Sequence, residues 1–462
     1  MANLPNSVIE TLKSQVRGSV LLPDDPGYDE ARQLWNAMID RRPAGIVRCA
    51  GVADVMLAVT EARNNDLRVS VRGGGHNIAG TAISDDSLMI DLSSMKSVHI
   101  NPDTRRAYVE PGASLGDFDH EAQAFGLATS LGINSTTGVA GLTLGGGFGW
   151  LTRKYGLAID NLISAEIITA DAKRVRASVD ENTDLFWAIR GGGGNFGIVT
   201  MFEFQLHPVG PEILAGLIVY PLEQAESVLS QYRSFVETIH EDLNVWVVLR
   251  QAPPLPFLPE TVHGKNVVVL PLFFNGDIEQ GMSLIKPLKN FGDFYGEHIG
   301  PMPFSEWQKA FDPLLTPGAR NYWKSHNFTE LSDDAIATAI EYSGRLPSPQ
   351  CETFIGLLGG KANSIASDVT AYSARDVQFV VNMHARWESS EEDQACIGWA
   401  REFFAKIEPF AAGSVYVNFM TEEEAERIPA AYGNNQKRLE EIKKRYDPTN
   451  FFRGNQNIKP SE

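Results

Sequence analysis

Apolar residues recur along this chain at helical spacing in some stretches and at every second position in others. Residues 28–40, YDEARQLWNAMID, set Leu34, Trp35 and Met38 at helical spacing and predict a helix. A short apolar piece, GIVRCA, follows. In VADVMLAVTEARNNDL the residues Val55, Val59 and Ala62 repeat as one helix face. LRVSVRGGGH then alternates Leu67, Val69 and Val71 into three glycines, as a strand does. Strand, helix, strand and glycine loop in that order is an α/β pattern, and ligands in open α/β sheets sit at strand ends. Residues 86–117 predict short strands with turns at Asn101-Pro102-Asp103 and Pro111-Gly112. FDHEAQAFGLA predicts a helix ended by Gly126, and ISAEIITADAKRVRAS a hairpin turning at Asp171. TDLFWAIRGGGGNFGIVTMFEFQLHPV gives a helix, a glycine loop and a strand.

Near Pro208 the glycine-rich character fades. Residues 210–410 carry the helical EQAESVLSQYRSFVETI, the strands NVWVVLRQA and KNVVVLPLFF, and, after a long loop region, DVQFVVNMHARWES. Here Asn382, His384 and Arg386 alternate with Val381, Met383 and Ala385, so one strand face is polar and the other apolar. A sheet roofing a ligand pocket has this pattern, and so does a half-exposed antiparallel sheet. His384, with a native pKa near neutrality, suits general-base work. In the tail QKRLEEIKKRYDPTNFFRGNQNIKP, a helix turns Leu439, Ile442 and Tyr446 inward and stops at Asp447-Pro448. The Glu-rich runs TEEEAER and SSEEDQ are expected to be solvated helix faces.

The 462 residues call for about two or three domains. A formal charge of −18 without a basic block excludes nucleic acid and anionic lipid as partners. Cys49, Cys351 and Cys396 are far apart, with no CxxC and no metal-ligand spacing, so neither a disulfide framework nor a metal site is expected. No apolar run approaches the roughly 20 residues that span a bilayer, so no membrane partner is expected. The opening MANLPNSVIETLKSQV lacks a signal-peptide core, so the expected location is cytoplasmic. The sequon Asn134-Ser135-Thr136 sits in a glycine-rich segment and is taken as a chance match.

Gly192-Gly193-Gly194-Asn195-Phe196-Gly197 matches GxGxxG in form only. The dinucleotide fingerprint follows a strand and opens a helix, and here that order is reversed. No P-loop pattern exists. What remains is three glycine-rich loops, near 73–75, 138–149 and 191–197, which suit a long phosphate-bearing cofactor met by backbone N–H groups. Arg72 could add charge there, or simply be solvated or paired.

VRGGGHNIAG, GINSTTGVAGLTLGGGFGWLTRKYGLAIDNL, LFWAIRGGGGNFGIVT, YVNF and RYDPTNFFRGNQNI together resemble the berberine-bridge-enzyme-like FAD oxidases. These belong to the vanillyl-alcohol-oxidase/PCMH flavoprotein superfamily. The resemblance runs from about residue 30 to the end. It implies an α+β fold: a PCMH-type FAD-binding domain of two α/β subdomains over 1–208, and a second α+β substrate domain over 209–412, built on an antiparallel sheet covered by helices. A C-terminal segment, 413–462, returns to the FAD domain. The FAD contacts it implies are Arg72, Gly73, Gly74, Gly75, Asn77, Gly80, Asn134, Thr137, Gly138, Gly141, Gly145, Gly146, Ile198, Asn455 and Asn457, with His76 bonded covalently to the flavin.

Asn134 stands where many members carry a second, cysteine tether, so a single attachment is expected. Asn134 could instead hydrogen-bond near the flavin edge or cap a turn. Thr137 has the shape of a valine at the position that governs oxygen access, which favours an oxidase. The Y-x-N-Y element of relatives reads Tyr416-Val417-Asn418-Phe419, so Phe419 replaces a tyrosine that could take a proton. Either the substrate needs no base, because hydride leaves from an amine or an already acidic phenol, or the base lies elsewhere, with His384 the first candidate, Tyr416 second and Tyr372 third. Asn382 stands beside His384, and Phe419 and Arg386 are expected to contact substrate. The implied activity is transfer of hydride from a C–H next to a hydroxyl or amine of a small organic substrate to flavin, with O2 reduced to H2O2. The alternatives are a dehydrogenase of the same fold using another acceptor, or a non-catalytic small-molecule binding protein.

Overall fold

The structure is a computed structural model and describes residues 4–462. Its first sheet is formed by β1 (Ser19–Leu21), β2 (Gly45–Arg48), β3 (Val69–Arg72) and β4 (Leu88–Asp91), in the order β1-β2-β4-β3. β4 runs parallel to β2 and β3 on either side. The helix Val52–Asn64 makes the crossover from β2 to β3 and buries Val55, Ala58, Val59 and Ala62, the face its periodicity marks. The second sheet is antiparallel and contains β5 (Val98–Asn101), β6 (Arg106–Val109), β8 (Leu162–Ile168), β9 (Arg174–Ser178) and β10 (Ile198–Gln205), ordered β5-β6-β10-β8-β9. A separate antiparallel pair is formed by β7 (Leu127–Ala128) and β11 (His207–Pro208).

The third sheet is the largest. It holds β12 (Glu212–Pro221), β13 (Leu243–Val245), β14 (Val247–Gln251), β15 (Asn266–Phe274), β16 (Gly296–Pro303), β17 (Arg320–Phe328), β18 (Glu352–Leu357) and β19 (Phe379–Trp387). The order is β16-β12-β15-β14-β18-β19-β17, with β13 also on β15, and every pairing is antiparallel. The helices Ala225–Val236, Asp333–Ser343 and Asp393–Ile407 cover one face. Val381, Met383 and Ala385 of β19 share a core with Cys396, Trp399, Ala400 and Phe403 of the last of these helices. The other face turns toward the glycine loops. Buried polar contacts hold the two halves together: Arg375 forks onto Asp160 at 2.7 and 2.8 Å, and Arg153 donates to the carbonyls of Leu358 (2.8 Å) and Leu243 (3.1 Å).

Four expectations are corrected. The helix expected over 28–40 is a single turn, Tyr28–Ala31. Beyond it the chain is captured by tertiary bonds, Trp35 N–H to Gly75 O (3.1 Å) and Ala37 N–H to Ala319 O (3.0 Å), and these override the helical spacing. The long loop region before DVQFVVNMHARWES holds three strands, β16, β17 and β18, and the helix Asp333–Ser343. The polar face of β19 is not half-exposed, since all nine residues of the strand are buried. TEEEAER is solvated only in part: Glu422, Glu423 and Glu426 are exposed, but Glu424 is buried and pairs with Arg427 and with Lys324, and Glu423 takes Lys324 at 2.9 Å and Arg401. Lys324 is itself buried, and an uncompensated buried ammonium is costly, so the buried Glu424 and the exposed Glu423 both turn to it.

Candidate active site

A cavity of about 340 Å3 lies between the glycine loops and the third sheet. Its floor is backbone. The loop after β3 crosses the loop before the helix Val139–Leu144 so closely that a Cβ on Gly74 would stand 2.5 Å from the Cα of Gly138. Any side chain at either position would separate the loops. Gly73, Gly74, Gly75, Gly138, Gly141, Gly145, Gly193, Gly194 and Gly197 all line the cavity, so the three glycine loops converge on one space.

The tail completes this floor. Lys443 of the helix Gln436–Tyr446 is fully buried and donates to the carbonyls of Asn195 (2.7 Å) and Phe452 (2.8 Å) and to Asp447 (2.6 Å). Asp447 accepts in turn from the N–H groups of Phe451 (2.7 Å) and Phe452 (2.8 Å). Asn195 then binds Gln456 O and the N–H of Ile458. These bonds seat Gly454, Asn455 and Gln456 against the glycine loop.

The roof is made of side chains on adjacent strands. Residues directly opposite one another in a sheet share a face. Trp323 of β17 faces His384 of β19, His384 faces Glu352 of β18, and Glu352 faces Arg250 of β14. The next rung is Ser325, Asn382, Phe354 and Val248. Trp323, His384, Glu352, Asn382 and Phe354 line the cavity. Aromatic rings continue around its wall edge to face: Trp323 on Phe419 at 5.3 Å, Phe419 on Tyr416 at 5.0 Å, and Tyr416 on Phe148 at 5.0 Å.

Two imidazoles face this space. His76 follows the first glycine loop and stacks on Trp35 with centroids 4.2 Å apart. Burial pushes its pKa down to about 4 against an opposing backbone hydrogen bond, with the nearby charge of Arg386 acting in the same direction as burial. His384 Nδ1 lies 3.2 Å from Glu352 Oε1, and Glu352 Oε2 takes Arg250 at 2.7 Å. Burial lowers the His384 pKa, and the bond and charge of Glu352 only partly oppose it, so the ring is neutral at pH 7. The Nε2 atoms of both rings are buried and have no partner among the described residues. Tyr416 lies across the cavity. Its hydroxyl accepts from Asn418 (2.9 Å) and Gly147 N–H (3.2 Å), but burial still drives its pKa up to about 12. Deprotonating it at pH 7 would cost about 7 kcal/mol, whereas His384 is already in its base form.

The expected site residues divide into two groups. His76, Gly73, Gly74, Gly75, Asn77, Asn134, Thr137, Gly138, Gly141, Gly145, Ile198, Asn455, Asn382, His384, Tyr416 and Phe419 line the cavity. Arg72, Gly80, Gly146, Asn457 and Arg386 stand back from it. Arg72 donates to Ala31 O (2.6 Å), and Gly80 packs against Ile39. Gly146, at φ +124°, lies under Tyr372 and Tyr416. Arg386 donates to Gln350 (2.9 Å) and Thr316 (2.8 Å) while its Nη1 is buried without a partner among the described residues, and it stands behind the lining, contrary to the expectation that it contacts substrate. Tyr372 is buried behind Gly146, off the cavity. Asn134 is buried and caps a turn through Oδ1, which accepts from Thr136 N–H (3.0 Å), while its Nδ2 has no partner among the described residues. Sequence reasoning misses Trp35, Trp246, Trp323, Glu352 and Phe354. The alternation in NYWKSHNF and ETFIGL is the available signal for the last three.

A flavin dinucleotide fits these residues. The floor admits close approach of a ligand to backbone, and Asn134 Nδ2, Asn455 Oδ1, Gln456 Nε2, Tyr432 OH and His76 Nε2 are buried polar atoms without partners on cavity-lining residues. Such atoms are normally satisfied, so they call for a polar ligand. Among the described residues there is no group of three or more His, Cys, Asp or Glu suited to a metal, and no helix long and apolar enough to cross a membrane.

Comparison with known proteins gives a consistent picture. The family profile described as "FAD binding domain" matches residues 43–178, and that described as "Berberine and berberine like" matches 415–459. An uncharacterised FAD-linked oxidoreductase of Bacillus subtilis, YgaK, is 32% identical, covering 97% of this chain and 98% of its own length. The (R)-6-hydroxynicotine oxidase of Paenarthrobacter nicotinovorans is 31% identical, covering 96% and 97%. The crystal structure of 6-hydroxy-D-nicotine oxidase from Arthrobacter nicotinovorans superposes with a TM-score of 0.85 at 28% identity, covering 97% of this chain and 99% of that one.

Proposed function

The chain belongs to the berberine-like FAD-linked oxidoreductases, and on that premise we propose that it is an oxidase that carries its flavin on His76 and uses His384 as the base. The observation that carries this reading is the pair of buried imidazoles, each with an unpartnered Nε2, on one cavity. FAD, when bound, supplies the two-electron acceptor and the site where O2 is reduced to H2O2. Gly73–Gly75 let the His76 loop wrap the cofactor, and Asn134, in place of a thiol, leaves His76 as the single tether. The aromatic wall of Trp323, Phe354, Phe419 and Phe148 excludes water and orients a small organic substrate. His384 Nε2 removes the O–H or N–H proton of that substrate beside the carbon that gives up hydride. Asn382 holds the same group from the neighbouring rung. Tyr416 keeps its proton and serves as a hydrogen-bond donor. The nicotine-oxidising relative and the compact Thr137 favour an oxidase over a dehydrogenase.

The test has two parts. Intact-mass spectrometry of the native enzyme should show one FAD added to the chain and, after digestion, to the His76 peptide. A bare polypeptide mass would refute the tether. Anaerobic mixing with (R)-6-hydroxynicotine, xylobiose, chito-oligosaccharide and 4-hydroxybenzyl alcohol should bleach the flavin with at least one of them. Readmitted air should restore the colour within seconds and yield H2O2. Reoxidation over minutes would instead assign a different electron acceptor.

A further inference from the structure

Resting on the reading of His384 as base, we propose that Arg250 and Glu352 are positioning residues. Glu352 fixes the imidazole as the Nδ1–H tautomer, and Arg250 restrains that carboxylate from converting the ring to imidazolium. The Nε2 lone pair is thereby kept open to substrate.

The rung Trp323–His384–Glu352–Arg250 spans four strands in register. An ionised carboxylate only accepts hydrogen bonds. Glu352 Oε1, 3.2 Å from His384 Nδ1, therefore requires a proton on Nδ1 and leaves Nε2 as the acceptor. Oε2 accepts from Arg250 Nη1 at 2.7 Å, so each carboxylate oxygen holds one partner in the rung. Glu352 is deeply buried, and burial alone would raise its pKa. Arg250 and then His384 outweigh that and hold it below the usual carboxylate range. Without Arg250, the full negative charge would act on the imidazole alone, 3.2 Å away in a poorly screened setting, and would favour the protonated ring. A protonated His384 has no lone pair to offer.

The other charged or titratable groups facing His384 are few. Arg386 of its own strand lowers its pKa, and His76 approaches from the glycine loop. Lys324, although next to Trp323, points to the opposite face and pairs with Glu423 and Glu424. Arg250 and Glu352 thus pull His384 in opposite directions, Arg250 down and Glu352 up. Removing each should move the ring oppositely, which a merely structural role would not do.

The experiment is a pH titration of 15N-histidine-labelled holoenzyme by NMR. It needs no substrate, and His384→Asn identifies the His384 signals among the nine histidines. At pH 7 the wild-type ring should show a protonated Nδ1 and an unprotonated Nε2. Arg250→Met should raise the titration midpoint by about one pH unit or more, and Glu352→Gln should lower it. Arg250→Lys should keep it near the wild-type value. Should the single Arg250→Met chain fail to fold around a bare carboxylate, the double variant Arg250→Met/Glu352→Gln removes both charges and should titrate above Glu352→Gln alone, because the lowering effect of Arg250 is then gone. An Nε2–H tautomer in the wild type, or midpoints that move the same way or not at all, overturns the proposal. A His384→Asn enzyme that bleaches with substrate at the wild-type rate overturns instead the assignment of the base, and leaves the tautomer result standing.

Discussion

The floor of the cavity is built from backbone and its roof from side chains. On the floor, Gly74 and Gly138 meet at main-chain distance, and the polar groups that remain for a ligand are amides and a few orphaned side-chain atoms. On the roof, four side chains from β14, β17, β18 and β19 form one rung, and the geometry that counts is the orientation of a single imidazole. Backbone holds whatever shares the cofactor's shape, whereas side chains select and react. Damage to the floor should therefore appear as lost flavin, and damage to the roof as lost chemistry on flavin that is still bound.

The strongest break in that division would come from His384→Asn. The anaerobic bleaching rate should fall by about 10²–10⁴-fold with flavin per chain unchanged; a fall in flavin content would place His384 in the floor's role. Gly74→Ala should do the reverse. The overpacking cost is about 1–3 kcal/mol, read as a lower melting temperature and a reduced flavin load, with turnover per bound flavin preserved. A smaller effect is the pH response of the wild-type enzyme. Burial lowers the folded pKa of His384 below its ordinary 6.5, and the base form is the active one. The acid-side decline of the bleaching rate should therefore have its midpoint below pH 6.5. A midpoint above pH 7 would mean a group with a raised pKa controls the step. The smallest effect belongs to Arg445→Ala, which breaks an exposed pair with Asp184 on neither surface. It should change stability by no more than about 1 kcal/mol and leave both flavin content and bleaching untouched.

The same division explains what the residue pattern reveals by itself. Glycines at Gly73–Gly75 and Gly191–Gly194 announce a backbone requirement locally, so the loops and their convergence on one ligand are legible from the amino acids alone. Val55, Val59 and Ala62 mark their helix face for the same reason: the constraint repeats within a few residues. The roof is non-local. Arg250, Trp323, Glu352 and His384 are separated by tens of residues and become neighbours only through strand pairing. In the sequence, only the alternation of Asn382, His384 and Arg386 within one strand is visible, and it does not distinguish a pocket roof from a wet sheet. Arg386 shows the residual error. It shares the polar face, but two of its three nitrogens are turned to Thr316 and Gln350 and it does not reach the cavity lining. Trp35 shows the opposite failure, a residue with helical spacing that is drawn out of any helix to stack on His76.

Part of the cavity floor is supplied by Asn455 and Gln456, held there by the bonds of Asn195 to Gln456 O and Ile458 N–H and by the Lys443–Asp447 pair. A ribosome still sheltering that stretch in its exit tunnel cannot present a finished pocket. A pocket with all of its lining in place therefore exists only after the chain has been made through Gln456, hundreds of residues after the first glycine loop.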